Sequence, residues 1–335
     1  MRKSISHLFI LCCFSLILAC CNNNKTSTQQ IPEELVELTK KIEKNPNDDA
    51  ALHQRAAYYY HNGKIKEAQE DILQAIKISP NNAKYHILLS DIYFGQKETD
   101  LTEESLQKAI LLDPGNNEAR LKLAELYFHL RMYAESDAVI KEAVEIQPHN
   151  PKAHLIHAFS LKERGDTTAY LRLLQLTVDQ DPTEVKAFLE LGYYYQQQLN
   201  PIAINYYNNA LMVEPNNIEI NYNLGRLYID LGDYEKAIDH YKIILQINPN
   251  HKFALNNLGY VMLEFEEKYD EAIGYLSRAI ELDSLFSPAI CNRGLAYMQL
   301  KEYDKARQDF IHCRSVDPQN DIAVEELNRL DQLTQ

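Results

Sequence analysis

The chain has 335 residues, with 34 Lys and Arg against 48 Asp and Glu and a formal charge of −14. That acidic balance argues against sequence-independent binding to nucleic acid, which needs a Lys/Arg-rich face, while the length points to two domains or a repeat array. No apolar stretch of ~18–20 residues occurs beyond the N-terminus, which excludes a membrane channel or transporter, and the lack of Trp with 10 Gly against 22 Tyr favours helices over a loop-rich β fold.

Residues 1–19 read as a targeting leader. Arg2 and Lys3 make a basic start, and Leu8 to Leu18 is an uncharged apolar run of 11 residues. Such a run is too short to span a bilayer and has the length of a secretory h-region. It closes on Ile17-Leu18-Ala19-Cys20. This pattern resembles the lipobox of bacterial lipoproteins, although Leu18 stands where a smaller residue is more usual and Cys21 follows Cys20. The resemblance implies that Cys20 is lipidated and opens the mature chain, with three acyl chains holding it permanently at a membrane. No acidic cluster follows the cysteine, which favours the periplasmic face of the outer membrane. An ordinary cleaved signal, a buried N-terminal helix, or an unprocessed N-terminus on a cytoplasmic adaptor are the alternatives. Residues 20–31 form a tether, apolar-free from Asn22 to Gln30. Four of the six cysteines lie in this leader. The remaining two, Cys291 and Cys313, read as small apolar core residues and make no disulfide framework.

Pro32 to Asn45 is amphipathic and predicts a capping helix within residues 32–46. Beyond it, prolines set a period. Pro46, Pro80, Pro114, Pro148, Pro182, Pro215, Pro249 and Pro318, with Ser284 in the one missing place, are spaced by 34, 34, 34, 34, 33, 34, 35 and 34. Between them recur Leu224, Gly225, Tyr228, Ala237 and Tyr241; Leu258, Gly259, Ala272 and Leu276; Gly294, Tyr297, Ala306 and Phe310. Residues 47–318 thereby resemble the tetratricopeptide repeat, a helix–turn–helix unit of 34 residues. The copies are 47–80, 81–114, 115–148, 149–182, 183–215, 216–249, 250–284 and 285–318, and residues 319–335 supply a C-terminal capping helix. The resemblance implies an all-α fold, a right-handed superhelical solenoid. Gly225, Gly259 and Gly294 admit close approach of paired helices, Gly63, Gly165 and Gly232 suit a left-handed turn residue, and each proline ends a second helix. Tyr170 falls where a small residue is expected, which makes copy 149–182 irregular.

The sequence holds no phosphate-binding loop, no G-x-S-x-G and no H-E-x-x-H. His154 and His157, three apart on a predicted helix, are candidates for a shared metal in an envelope hydrolase or metal-binding protein, but they occupy slots that pack between helices. No nucleophile is joined to a base and an orienting group. The expected function is therefore non-enzymatic, with no cofactor, metal or small-molecule substrate and no nucleic-acid partner. The resemblance implies instead a concave wall, built from the first helix of each pair, that holds a protein segment. Asn223, Asn257 and Asn292 share one place in three consecutive copies, a place that faces the groove in tetratricopeptide proteins. An amide row there can pair with a peptide backbone whatever its side chains. Earlier copies carry Gln54, Leu88, Lys122, Ile156 and Glu190 instead, which confines the row to the C-terminal copies. Arg226 is the basic residue beside it, and Asp230 and Glu264 are acidic, so a neutral, basic or backbone-recognised partner fits better than a terminal carboxylate. The runs Tyr58-Tyr59-Tyr60 and Tyr193-Tyr194-Tyr195 should each put one ring in the core, leaving Tyr193 and Tyr194 for the wall.

Overall fold

The computed structural model describes residues 32–333, which form eighteen α-helices with no strand among them. The leader 1–19, Cys20 and the tether 20–31 lie outside the described residues. No helix of the described residues is long and apolar enough to cross a membrane. The described residues divide into two compact units, one ending at Asn81 and the other beginning at Asn82.

In the first unit, α1 (Glu33–Lys44) precedes the pair α2 (Asp49–His61) and α3 (Ile65–Ile78). Leu35, Leu38 and Ile42 give α1 one buried face, and Ala56, Ala68 and Ile72 are fully buried in the pair. In the second unit the pairs are α4 (Ala83–Gly95) with α5 (Thr99–Leu112), α6 (Asn117–His129) with α7 (Tyr133–Ile146), and α8 (Pro151–Glu163) with α9 (Thr167–Gln180). They continue as α10 (Val185–Gln196) with α11 (Ile202–Val213), α12 (Ile218–Asp230) with α13 (Tyr234–Ile247), α14 (Lys252–Glu264) with α15 (Tyr269–Leu282), and α16 (Ser287–Gln299) with α17 (Tyr303–Val316). The last helix, α18 (Asp321–Leu333), buries Ala323, Leu327 and Leu330.

The helix ends follow from the sequence. Every second helix stops two residues before its proline or Ser284, because proline cannot donate to the ladder and forces the residue before it out of helical geometry. The next helix starts on a side-chain cap where one is available. Asn116, Asn150 and Asn217 accept the backbone N–H three residues on, at 3.0, 3.1 and 3.1 Å. Within each pair the turn needs one left-handed residue. Gly63, Gly165 and Gly232 supply it with φ of 71°, 81° and 78°. In the other five pairs the same place holds Lys97, Arg131, Leu199, Glu267 and Lys301, all with positive φ. Glycine is therefore preferred there but not demanded.

Close packing explains the small residues. A Cβ placed on Gly192, Gly225 or Gly294 would come within 2.6, 2.8 or 2.7 Å of the rings of Tyr207, Tyr241 and Phe310, and one on Gly259 within 2.6 Å of Leu276. Ala203, Ala237, Ala272 and Ala306 are fully buried beside them. Where the small residue is polar it is satisfied: the Ser136 hydroxyl donates to the Ala124 carbonyl at 2.9 Å. Tyr170, the large residue at this place, is 4% exposed and extends its hydroxyl to Glu190 at 2.5 Å. Cys291 and Cys313 are buried thiols outside any disulfide, packed with Phe310 and Leu327, and donate to the Asn320 side-chain oxygen and the Ser287 carbonyl.

Candidate partner-docking wall

In the second unit first helices of neighbouring pairs touch, α6 with α8, α10 with α12 and α14 with α16, and the outward faces of the first helices form the candidate wall. Along its earlier part the charges neutralise one another across copies. Lys122 reaches Asp91 at 2.7 Å, Lys152 reaches Glu125 at 3.2 Å, and Lys162 reaches Glu190 at 2.6 Å. Lys186 lies over the Phe159 ring at 4.5 Å.

From α10 to α16 the wall changes character. The side chains of Tyr193, Asn223, Arg226, Asp230, Tyr260 and Glu264 make no hydrogen bond or ion pair among the described residues. Tyr193 is 52% exposed and Arg226 is exposed, while Tyr194 and Asn223 are half-buried. Asn257 and Asn292 are also half-buried, and each donates one hydrogen bond to another side chain. Asn257 donates to the Tyr241 hydroxyl at 3.1 Å, and Asn292 donates to the Asn256 carbonyl oxygen at 3.2 Å. An amide has two N–H donors and two acceptor lone pairs, so both keep capacity for a ligand. The three asparagines occupy the same turn of α12, α14 and α16, one to each copy.

Three contributors escape sequence reasoning. Asn256, buried at 9% exposure, donates to the Asn257 carbonyl oxygen at 3.1 Å and links it to Asn292. The hydroxyls of Tyr207 and Tyr241 reach the wall from the second helices. Tyr207 donates to Gln196 at 2.6 Å, and Gln196 in turn donates to the Asn223 backbone carbonyl at 3.4 Å. Burial pushes both phenols up, so both stay protonated in water at neutral pH. The available signal was Tyr in place of Phe at the ring position, together with the Asn256-Asn257 doublet.

The tyrosine runs follow the expectation only in part. None of the six rings is buried: Tyr59 and Tyr195 are half-buried, Tyr59 lying beneath Arg55 and Lys64, and Tyr195 stacked on Tyr206 with centroids 5.6 Å apart. Tyr195 packs against the core of the second unit, and Tyr127 and Tyr228 at the same place are buried.

His154 and His157 face away from the asparagine row. They sit in a cleft of about 930 Å³ between α7 and α9, lined by Ile140, Val144, Leu173 and Leu176. His154 is buried, its Nε2 without a hydrogen-bond partner among the described residues, and His157 lies 3.8 Å from Asp137. Burial lowers the pKa of both rings. Among the described residues no group of three His, Cys, Asp or Glu side chains is placed to hold a metal ion.

Residues 49–82, 93–159, 218–251 and 287–320 match family models of the tetratricopeptide repeat, together half of the chain. The chain belongs to the tetratricopeptide-repeat family. Three of those matches begin on the first residue of a helix, Asp49, Ile218 and Ser287, two residues after the boundaries read from the prolines. The chain is similar to the barley (Hordeum vulgare) protein described as a probable UDP-N-acetylglucosamine–peptide N-acetylglucosaminyltransferase, SPINDLY. The two are 27% identical over 159 residues, 45% of this chain and 17% of the relative. The chain thus spans about a sixth of that relative's length, and the transferase activity in its name is said of that protein alone. Among solved structures, the C-terminal part of a repeat-containing protein from Cytophaga hutchinsonii is 18% identical with a TM-score of 0.59, covering 71% of this chain and 98% of that one. PilF of Pseudomonas aeruginosa is 18% identical with a TM-score of 0.52, covering 67% and 97%. At that identity the likeness is one of fold.

Proposed function

We propose that this tetratricopeptide-repeat protein is a non-enzymatic scaffold, lipid-anchored through Cys20 at the periplasmic face of the bacterial outer membrane. It holds a segment of a partner protein along α10, α12, α14 and α16 while an envelope complex is assembled or its cargo secreted. The observation that carries the reading is the contrast along the wall. Before Glu190, Lys122, Lys152 and Lys162 each pair with an acidic residue of a neighbouring copy, whereas Tyr193, Asn223, Arg226, Asp230, Tyr260 and Glu264 beyond it have unspent polarity. Repeat solenoids use such a face to bind extended or helical segments. Asp230 and Glu264 suit a neutral or basic segment, and the asparagine row suits its backbone. The envelope address rests on the leader, Arg2 and Lys3 with the apolar run and Ala19-Cys20.

The two parts separate experimentally. Cys20→Ser should leave the precursor unprocessed and unacylated, read as intact mass and loss of membrane-fraction attachment; unchanged mass and attachment would end the lipoprotein reading. Replacing Asn223, Asn257 and Asn292 together by Ala removes neutral hydrogen bonds worth ~0.5–1.5 kcal/mol each. Partner affinity should fall strongly while helical content stays nearly intact. Intact affinity in the folded triple variant would move the docking site elsewhere.

A further inference from the structure

The ring beneath each close-approach glycine is Tyr207, Tyr241 or Phe310, with Leu276 in the remaining copy of this series. Leu276 and Phe310 fill that space without a hydroxyl, so packing alone does not account for the phenol of Tyr241. Tyr241 is fully buried, and a buried hydroxyl persists where it has a partner. Its partner is the Asn257 side-chain nitrogen at 3.1 Å. Asn256 donates to the Asn257 oxygen at 3.1 Å, and Asn292 donates to the Asn256 oxygen at 3.2 Å. The hydroxyl therefore ends a continuous line of three amides that starts on α16, crosses α14 and closes on α13. Every amide in it points its nitrogen towards Tyr241.

An isolated asparagine turns easily about its last torsion, whose wells are broad and two-fold, and so exposes oxygen or nitrogen to a ligand indifferently. In this line the choice is made. Asn257 spends one N–H on Tyr241 and one lone pair on Asn256, which leaves one donor and one acceptor of fixed direction for a bound backbone.

We propose that Tyr241 is a positioning residue. Its hydroxyl orients Asn257, Asn256 and Asn292 as a unit, so that the wall presents a preset amide row to an extended peptide. This rests on the docking reading above. Asn223 lies outside the line, because the corresponding phenol, Tyr207, is spent on Gln196 instead. Tyr207→Phe is the matched control.

The test uses the full chain, labelled with ¹⁵N in asparagine only, with side-chain amide signals assigned through single Asn→Ser variants. In the unaltered protein the Asn256, Asn257 and Asn292 amides should be dispersed and protected from hydrogen exchange, and the Asn223 amide should not. Tyr241→Phe should shift all three signals and speed their exchange about tenfold or more, the loss of one ordinary hydrogen bond. Tyr207→Phe should leave them unchanged. Asn256→Ala, which spares the buried ring altogether, should release Asn292 while Asn257 stays bound to Tyr241. Peptides selected on the unaltered protein from a random decapeptide display library serve as the binding probe. Tyr241→Phe should weaken them about tenfold at an unchanged melting temperature. A Tyr241→Phe spectrum in which Asn256 and Asn292 do not move would overturn the proposal. Unchanged peptide affinity in the triple Asn variant would instead overturn the docking reading beneath it.

Discussion

Leu199 illustrates how a single backbone place is filled. Its φ of 53° lies in the left-handed region, where a Cβ crowds the following carbonyl at a cost of roughly 1–2 kcal/mol. The side chain is 57% exposed, so little packing is lost on removing it. Leu199→Gly should therefore raise stability by about 0.5–1 kcal/mol after the added chain entropy of glycine is subtracted. Gly232→Ala should lower it by about 1 kcal/mol, since its φ is 78° and no atom within 4 Å can compensate. Denaturant titration of both variants checks the pair of signs. A second residue-level case is the forked ion pair of Arg293 with Asp309, both contacts 2.8 Å, with Asp309 nearly buried. Arg55 and Asp71 make the same fork at the same place of the first pair, at 2.6 and 2.7 Å. Other copies put apolar residues there, such as Leu123 with Val139. Arg293→Leu alone strands a carboxylate and should cost about 2–4 kcal/mol, while Arg293→Leu with Asp309→Val should return to within about 1 kcal/mol of the parent. Thermal melts of the single and double variants decide it.

At the scale of the helix pair, the glycine-to-ring contact sets the spacing. Gly225→Ala and Gly294→Ala bring a methyl within 2.8 and 2.7 Å of a buried ring, and overpacking costs ~1–3 kcal/mol against a helix-propensity gain of about 1. A net loss is expected, read as a lower denaturant midpoint; unchanged midpoints would mean that the pairs have slack. Much of this was legible beforehand, because the proline period, the small residues and the rings are local signals repeated in register. The capping helix α18 runs from Asp321 to Leu333, where its amphipathic stretch places it. What escaped is non-local or chemically degenerate. A left-handed residue is readable as glycine but not as Lys97 or Glu267, since the turn imposes that conformation from outside. The Tyr241–Asn257 bond joins different copies, and a period read along one copy cannot show it. The tyrosine runs were legible in part: Tyr195 packs against the core while half-buried and stacked on Tyr206, and Tyr59 is half-buried beneath Arg55 and Lys64.

At the scale of the whole molecule, stability accumulates from neighbours, so the response to acid should be distributed over several copies. Burial lowers the pKa of His154, His157, His240 and His251 below their ordinary value. His251 also caps α14 by accepting the Ala254 N–H at 3.1 Å, which a protonated ring nitrogen cannot do. The unfolded chain binds protons on these rings below about pH 6.5 and the folded chain binds fewer, so stability is full above that pH and falls as pH drops below it. Melting temperature should decline between pH 7 and 5, and less steeply in His240→Phe, whose ring can keep the stacking on Tyr228 at 5.6 Å. An equal slope in that variant would remove His240 from the account. The central claim, that the unspent face of α10 to α16 holds a partner segment, is tested most directly by a photo-crosslinking residue placed at Arg226 and, separately, at Ile311, an exposed residue of α17. In cells making the full-length protein, position 226 should form one discrete adduct that disappears when Asn223, Asn257 and Asn292 are replaced by Ala, and position 311 should form none. An adduct at 311 with none at 226, or a 226 adduct indifferent to the triple replacement, would contradict it.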